Sequence, residues 1–121
     1  MSENLEILNY TIIEEAKQLM GDRFPSIIKY FLEDTQSYAE EIEKNIGEKN
    51  FEGVMIAAHT IKSSAKQIGT ERISECAKQI EVLSKEIISG KSGDHEEIAR
   101  LYEELKEEIE AAKPELNSAI E

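Results

Sequence analysis

Hydrophobic residues along this chain recur at intervals of three and four, which is the spacing expected for one face of an amphipathic helix. Four long stretches share this spacing. Their apolar positions are Ile27, Phe31, Tyr38, Ile42 and Ile46; Phe51, Val54, Ala58, Ile61, Ala65 and Ile68; Ile73, Cys76, Ile80, Leu83 and Ile87; and Ile98, Leu101, Leu105, Ile109 and Ala112. No stretch alternates with period two for more than a few positions, so the pattern predicts an all-α protein.

Glycine, proline and acidic residues indicate where the first two helices begin and end. A short first helix is expected to start near Thr11 and to stop at Gly21. Asp22 and Pro25 then open the second helix, which weakens at Gly47.

The later helices have similar boundaries. Asn50 and Asp94 are expected to be the N-caps of the third and fifth helices, and Gly69 is expected to end the third. Pro114 should interrupt the fifth helix, with the last residues frayed. The sequence therefore predicts one domain over residues 1–121, with its core at about 11–113. Its expected architecture is an antiparallel up-down-up-down four-helix bundle with an additional short N-terminal helix.

Composition limits the classes of partner. The chain has 121 residues and a net charge of -12, and it lacks the basic stripe that phosphate backbones require, so we expect no nucleic acid partner. No run approaches the roughly 18 apolar residues that span a bilayer, and the opening "MSENLEILNY" lacks a basic leader, so we expect a cytoplasmic protein without a membrane partner. The single cysteine cannot form an internal disulfide. We expect a monomer.

One of the two histidines lies within the third helix, in the stretch "AAHTIKSSAKQIG". His59 follows the core-facing Ala58 and is therefore rotated from it by about 100°, so its ring should be exposed at the edge of the buried stripe. Its neighbours on the helix surface are Met55, Ile56, Lys62 and Ser63.

The helix around His59 has an unusual distribution of charge. The stretch from Gly53 to Thr70 contains no aspartate or glutamate, but it contains two lysines, Lys62 and Lys66. One interpretation is a local positive field that favours an anion near the histidine. The other is a partly exposed helix face, because a lone histidine on a helix is usually a surface or boundary residue.

The segment "HTIKSSAKQIGTERISECAKQIE", from His59 to Glu81, resembles the motif of histidine-containing phosphotransfer (HPt) domains. In that motif a helix carries a histidine, a lysine three residues later, small residues, and a glycine ten residues later. The upstream segment "FLEDTQSYAEEIEKNIGEKNFEGVMIAAH" is also similar to the second helix of the family and to the approach to its histidine. The resemblance covers roughly residues 15 to 112, and the fold that the family shares is an antiparallel four-helix bundle.

The resemblance implies a role for several residues of the third helix. His59 would be the phosphorylated residue and Lys62 the basic residue that helps to hold the phosphoryl group, while Gly69 would end the helix. Ser63 departs from the family, which often has glycine four residues after the histidine. We expect Ser63 and Lys66 to support the phosphoryl group.

The resemblance also implies partners and chemistry. Members of the family accept a phosphoryl group from the aspartyl-phosphate of a response-regulator receiver domain and pass it to the aspartate of another. We therefore expect this protein to be a phosphocarrier and not an enzyme. Its expected partners are receiver domains, a hybrid sensor histidine kinase, or both. We expect Met55 and Ile56 to contact such a partner. No cofactor of its own is expected, because the receiver would bring the magnesium ion.

Other functions are less consistent with the sequence. The glycines are isolated and form no phosphate-cradling loop, which argues against a kinase. Neither His59 nor His95 has a glutamate three residues before it, which argues against a carboxylate-bridged metal site. We expect His95 to be a solvated first-turn residue and Cys76 to be a small buried side chain. The remaining alternative is a helical module that docks on a receiver or a kinase without being phosphorylated.

Overall fold

The computed structural model describes residues 5–91 and 94–121, and every regular element within these ranges is helical. The five α-helices are α1 (Tyr10–Met20), α2 (Phe24–Gly47), α3 (Phe51–Ile68), α4 (Glu71–Ile88) and α5 (His95–Ala119). One turn of 3₁₀ helix, Gly21–Arg23, joins α1 to α2. None of the helices in these ranges has an apolar stretch long enough to cross a membrane.

The four long helices form a closed antiparallel bundle. Each helix packs against the next one along the chain, and α2 also packs against α5, so that the four surround a common core. The short helix α1 lies against α2 and α3. The predicted architecture, an up-down-up-down four-helix bundle with an additional N-terminal helix, is confirmed.

The core consists mainly of branched aliphatic side chains from all the helices. The largest fully buried side chains are Leu8, Ile13, Ile28, Ile42, Val54, Ile61, Ile73, Ile80, Ile98, Leu105, Ile109 and Leu116. Every residue of the apolar stripes predicted for α3 and α5 is buried. The expected N-caps are also confirmed, because the Asn50 side chain accepts a hydrogen bond from the Gly53 amide and the Asp94 side chain accepts one from the Glu97 amide.

The buried face of α2 differs from the predicted one. Ile28 and Ala39 are buried, whereas the predicted core residues Ile27 and Tyr38 are only partly buried. In both places an apolar residue is followed directly by another, so the three-four spacing fits either register. At these two places the structure buries the later residue, so the smaller Ala39 lies in the interior, while the predicted Phe31 and Ile42 are buried as expected.

The prediction that Pro114 interrupts the last helix is wrong. Helix α5 continues through Pro114 to Ala119, and Leu116 is fully buried. Proline removes one helical hydrogen bond, but Pro114 is exposed, so the carbonyl group that it leaves without an amide partner can bind water. Because Leu116 and the N-terminal Leu8 both belong to the core, the core reaches beyond residues 11–113.

The connection between α3 and α4 is short and tightly constrained. Gly69 has a positive φ of 88°, which glycine adopts at little cost, and it ends α3 as expected. A Cβ atom on Gly69 would lie 3.1 Å from the carbonyl oxygen of Asn9, and the Asn9 amide donates a 2.7 Å hydrogen bond to the Gly69 carbonyl. Thr70 donates its backbone amide and its hydroxyl to the Ala65 carbonyl. This turn fixes α4 against α3 and holds the start of α1 beside both.

The position of Ile61 in the core generates a test of the bundle. Ile61 is fully buried, so we expect Ile61→Ala to lower the free energy of unfolding by about 2–5 kcal/mol through lost burial and a residual cavity. Ile56 on the same helix is 62% exposed, and Ile56→Ala should change the free energy by no more than about 0.5 kcal/mol. Urea unfolding followed by circular dichroism measures both, and equal effects at the two positions would contradict this packing.

Candidate functional site

His59 lies on the outer surface of α3, and its side chain is 59% exposed, as its position beside Ala58 predicts. Ile61, two residues later, points in the opposite direction into the core. Helix α3 therefore presents the imidazole at the boundary between the buried stripe and solvent. One edge of the ring is directed toward α4.

The side chain that meets this ring edge is Glu81, a carboxylate on α4 that is only 6% exposed. Its Oε2 atom lies 2.8 Å from Nδ1 of His59, and its Oε1 atom lies 2.7 Å from Nζ of Lys62. A second ammonium group, that of Lys85, lies 3.6 Å from Oε2. One buried carboxylate thus contacts the histidine and two lysines.

Two opposing effects act on the pKa of Glu81. Burial is the largest single effect and raises this pKa, but the hydrogen bonds and the electrostatic attraction of Lys62 and His59 together lower it more, so the net pKa lies below its ordinary value. Glu81 is therefore ionised at neutral pH. Since an ionised carboxylate can only accept hydrogen bonds, Nδ1 of His59 must carry the proton of this contact. In the neutral ring, the lone pair is then on Nε2, away from Glu81.

The packing of α4 against α3 determines where Glu81 lies. Ser74, two helical turns before Glu81 on the same face, donates a 3.0 Å hydrogen bond from its hydroxyl to the backbone carbonyl of Lys62. Ser74 and the buried Ala77 are small, which allows the two helices to approach closely. Because helical side chains lean toward the N-terminus, Glu81 reaches along this interface to both His59 and Lys62.

The other residues singled out from the sequence lie on either side of His59 along the groove between α3 and α4. Met55 and Ile56 line the groove together with His59, Glu81 and Lys85 on one side. Lys62, Ser63 and Lys66 line its continuation on the other side, beside Ser74. The third helix therefore presents all of these predicted site residues on a single surface.

Glu81 and Lys85 were not among the predicted site residues. One interpretation of the acid-free stretch from 53 to 70 is a local positive field, and the structure adds to it a carboxylate that α4 inserts beside His59 and Lys62. One signal in the sequence was available. Glu81 is four residues from Ala77 and three from Ser84, which places an acid on a face of α4 that is otherwise apolar or small.

His95 and Cys76 do not take part in this arrangement. His95 is the exposed first residue of α5, and its ring centroid lies 4.8 Å from that of Phe51. Cys76 is buried as expected, and its thiol donates a hydrogen bond to the carbonyl of Leu101. Burial, with a smaller contribution from the nearby Glu104, raises the pKa of this thiol to about 12, so the thiol is not ionised at neutral pH.

An antiparallel helical bundle with an exposed histidine on its third helix fits the histidine phosphotransfer domains that the segment from His59 to Glu81 resembles. Comparison with protein families gives the same class. The model of the Hpt domain matches residues 26–115, and the chain belongs to this family. Members of the family are phosphate carriers that interact with response-regulator receivers and kinases, which supports a role in histidine phosphotransfer.

Solved structures include one with a closely similar fold. The crystal structure of histidine-containing phosphotransfer protein B from Pseudomonas aeruginosa PAO1 superimposes with a TM-score of 0.84 over 93% of this chain and 92% of that one. The sequence identity is 14%, so this likeness concerns the fold alone. A comparison with curated proteins finds no significant match.

The lowered pKa of Glu81 generates a prediction for stability as a function of pH. The ionised carboxylate should stabilise the folded state above its ordinary pKa of 4.5, and this contribution should disappear as the pH falls through the lower folded-state pKa. The difference in unfolding free energy between the wild type and Glu81→Gln should therefore shrink as the pH falls below about 4.5. Urea unfolding over this pH range measures it.

The exposed Glu41→Gln variant controls for the change in net charge. A difference between wild type and Glu81→Gln that stays constant down to about pH 3 would contradict a stabilising carboxylate at position 81.

Proposed function

We propose that this protein is a phosphorelay intermediate of two-component signal transduction. In this function His59 accepts a phosphoryl group from the aspartyl-phosphate of a response-regulator receiver domain and donates it to the aspartate of another receiver. The observation that carries the proposal is the exposed ring of His59, whose Nδ1 donates to Glu81 and whose Nε2 is left with a lone pair. Membership of the Hpt domain family supports the same function.

The geometry supports a simple transfer step. The lone pair of Nε2 forms a bond to phosphorus while the bond from phosphorus to the aspartate oxygen breaks, and its electrons remain on the departing carboxylate. No proton has to be removed from His59, because the attacking nitrogen carries none. The attack places positive charge on the ring, and the Glu81 carboxylate hydrogen-bonded to Nδ1 stabilises that charge. The return transfer reverses these steps.

Basic residues one and two turns beyond His59 are suited to hold the transferred group. Lys62 and Lys66 follow the histidine at positions i+3 and i+7, and Ser63 lies between them on the exposed face. A phosphoryl group carries about -1.5 to -2 charges at neutral pH, so ammonium groups favour it. In our proposal Lys62 is the main support, while Ser63 and Lys66 contribute to the surrounding surface.

The partner would supply the remaining groups. Phosphoryl transfer depends on positioning and on stabilisation of charge, and in our proposal the receiver brings the magnesium ion and most of the catalytic residues. This protein then acts as a monomeric phosphocarrier, without a cofactor of its own, in the cytoplasm. Met55 and the 62% exposed Ile56 lie directly beside His59 and would contact the docked receiver or a hybrid sensor histidine kinase.

A second candidate function is a helical module that docks on a receiver or a kinase without being phosphorylated. The exposed apolar residues beside His59 would serve such docking as well as they would serve transfer. Acid-labile, base-stable label on the protein after mixing with a phosphorylated receiver distinguishes the two functions, because only a phosphohistidine carrier acquires it.

The assignment of His59 generates a paired test. Purified receiver domains with radiolabelled aspartyl-phosphate should transfer label to the wild type but not to His59→Gln, because glutamine has no nucleophilic ring nitrogen. His95→Gln, which changes the other histidine, should accept label as the wild type does. Both variants should stay folded. His95→Gln should retain its thermal unfolding because the side chain is exposed, whereas His59→Gln should lose a little stability because it removes a hydrogen-bond donor to the nearly buried Glu81. Label on His59→Gln would show that the site is elsewhere.

The exposed Ser63 generates a test of the face that a partner approaches. A side chain at position 63 leans toward His59, so leucine there should cover part of the imidazole while leaving the core intact. We expect Ser63→Leu to transfer phosphoryl groups at least about tenfold more slowly in single-turnover measurements, with normal helicity.

Ser63→Gly is the matched control and should transfer at the wild-type rate or faster. A folded Ser63→Leu variant within about twofold of the wild type would show that receivers do not approach over this face.

A further inference from the structure

Besides His59, two lysine ammonium groups lie within ion-pair distance of Glu81, although one would be enough to compensate its charge. Lys62 from α3 makes the close contact, at 2.7 Å from Oε1. Lys85, one turn after Glu81 on α4, lies 3.6 Å from Oε2, the same oxygen that binds His59. The Lys85 side chain is 61% exposed, whereas the Lys62 side chain is 30% exposed. Lys85 therefore lies within reach of Glu81 without being held tightly.

Phosphorylation of Nε2 would place a second anion, the phosphoryl group, within the surroundings of Lys62. The phosphoryl group would be bonded to Nε2, while Glu81 contacts the ring through Nδ1. The Lys62 ammonium now lies at ion-pair distance from the carboxylate. A dianionic phosphoryl group carries more charge than a carboxylate, so it should draw the ammonium toward itself.

Departure of Lys62 would leave a carboxylate that is 6% exposed without its closest cation. An uncompensated buried charge is costly, and a carboxylate in that situation takes up a proton or moves toward water. Either change would weaken the hydrogen bond between Glu81 and Nδ1 in the phosphorylated protein, where this bond stabilises the positive charge on the ring. A second cation that can approach Oε2 would prevent this loss.

We propose that Lys85 is a positioning residue that replaces Lys62 as the cation of Glu81 once His59 is phosphorylated, and so preserves the bond between Glu81 and Nδ1. This inference rests on the proposed function of His59. Lys85 requires only a small movement, because its ammonium is already 3.6 Å from Oε2 and most of its side chain is in solvent. The i,i+4 order, with glutamate before lysine, is the favourable one on a helix.

The proposal separates the roles of the two lysines by state. Lys62 compensates Glu81 in the unphosphorylated protein, and Lys85 does so in the phosphorylated protein. Removing Lys85 should therefore have little effect before phosphorylation and a large effect afterwards. A lysine that contributed only to general surface charge would act equally in both states.

The test uses phosphoramidate, a small phosphodonor, so that no receiver is needed. Nε2 forms the bond to phosphorus while the bond from phosphorus to the protonated nitrogen of phosphoramidate breaks, and ammonia leaves with the electrons of that bond. All proteins carry His95→Gln, so that His59 is the only histidine. Nitrogen-15 NMR of the labelled imidazole then gives the rate at which the Nδ1 proton exchanges with water, with and without phosphorylation.

We expect the Nδ1 proton of Lys85→Ala to exchange within about twofold of the parent rate before phosphorylation and at least about tenfold faster after it. Lys85→Arg should restore the parent rate, because arginine keeps the cation. Lys62→Ala should show the opposite pattern, with its larger effect before phosphorylation. Lys78 is an exposed lysine of α4 that is not among the described ion-pair partners of Glu81. Lys78→Ala removes the same charge as Lys85→Ala, and its exchange rate should match that of the parent in both states.

Exchange rates for Lys85→Ala that equal the parent in both states, or that change equally in both, would overturn the role of Lys85. An equal effect of Lys78→Ala would do so as well, because it would indicate a general charge effect. Failure of every receiver to label His59 would overturn the proposed function while leaving this comparison intact. Failure of phosphoramidate to modify His59 in the folded protein would contradict both proposals.

Discussion

The hydrogen bond between the buried carboxylate of Glu81 and Nδ1 of His59 is the interaction on which the chemistry of this surface depends. At 2.8 Å it fixes the orientation of the ring and the nitrogen that carries the proton. A carboxylate so nearly excluded from water would destabilise the fold if it were alone. The ammonium group of Lys62, 2.7 Å from Oε1, offsets the free-energy cost of burying this charge.

This interaction requires an accurate register between α3 and α4. Two features fix that register. One is the turn at Gly69, where a Cβ atom would lie 3.1 Å from the Asn9 carbonyl oxygen, and the other is the hydrogen bond from Ser74 to the Lys62 carbonyl. A site built on two packed helices holds its groups more precisely than one built on loops. The remaining helices contribute mainly by burying the inner faces of α3 and α4, and in this way they hold the two helices that position His59.

The sequence predicted those features that depend on spacing within one helix. The stripe from Phe51 to Ile68 identified the buried face of α3, and the step from Ala58 to His59 placed the ring at its edge. Glu81 was missed because it lies 22 residues from His59 along the chain and meets it only through interhelical packing. The charge pattern of residues 53–70 describes α3 alone, and it contains no information about an acid that α4 contributes.

The boundary position of His59 suits the group transfer proposed for this bundle, because the ring is exposed to solvent and is also held from the protein side. A ring at the edge of a buried stripe has two different surroundings, since Nδ1 contacts the buried Glu81 while most of the side chain is exposed to solvent. On the protein side, Glu81 determines which ring nitrogen carries the proton, and its side chain is only 6% exposed. On our proposal, the exposed side of the ring is open to any receiver that docks beside Ile56, so different partners would use the same nucleophile. In the proposed relay, a carrier needs this combination because it must react with a donor and with an acceptor through one nitrogen.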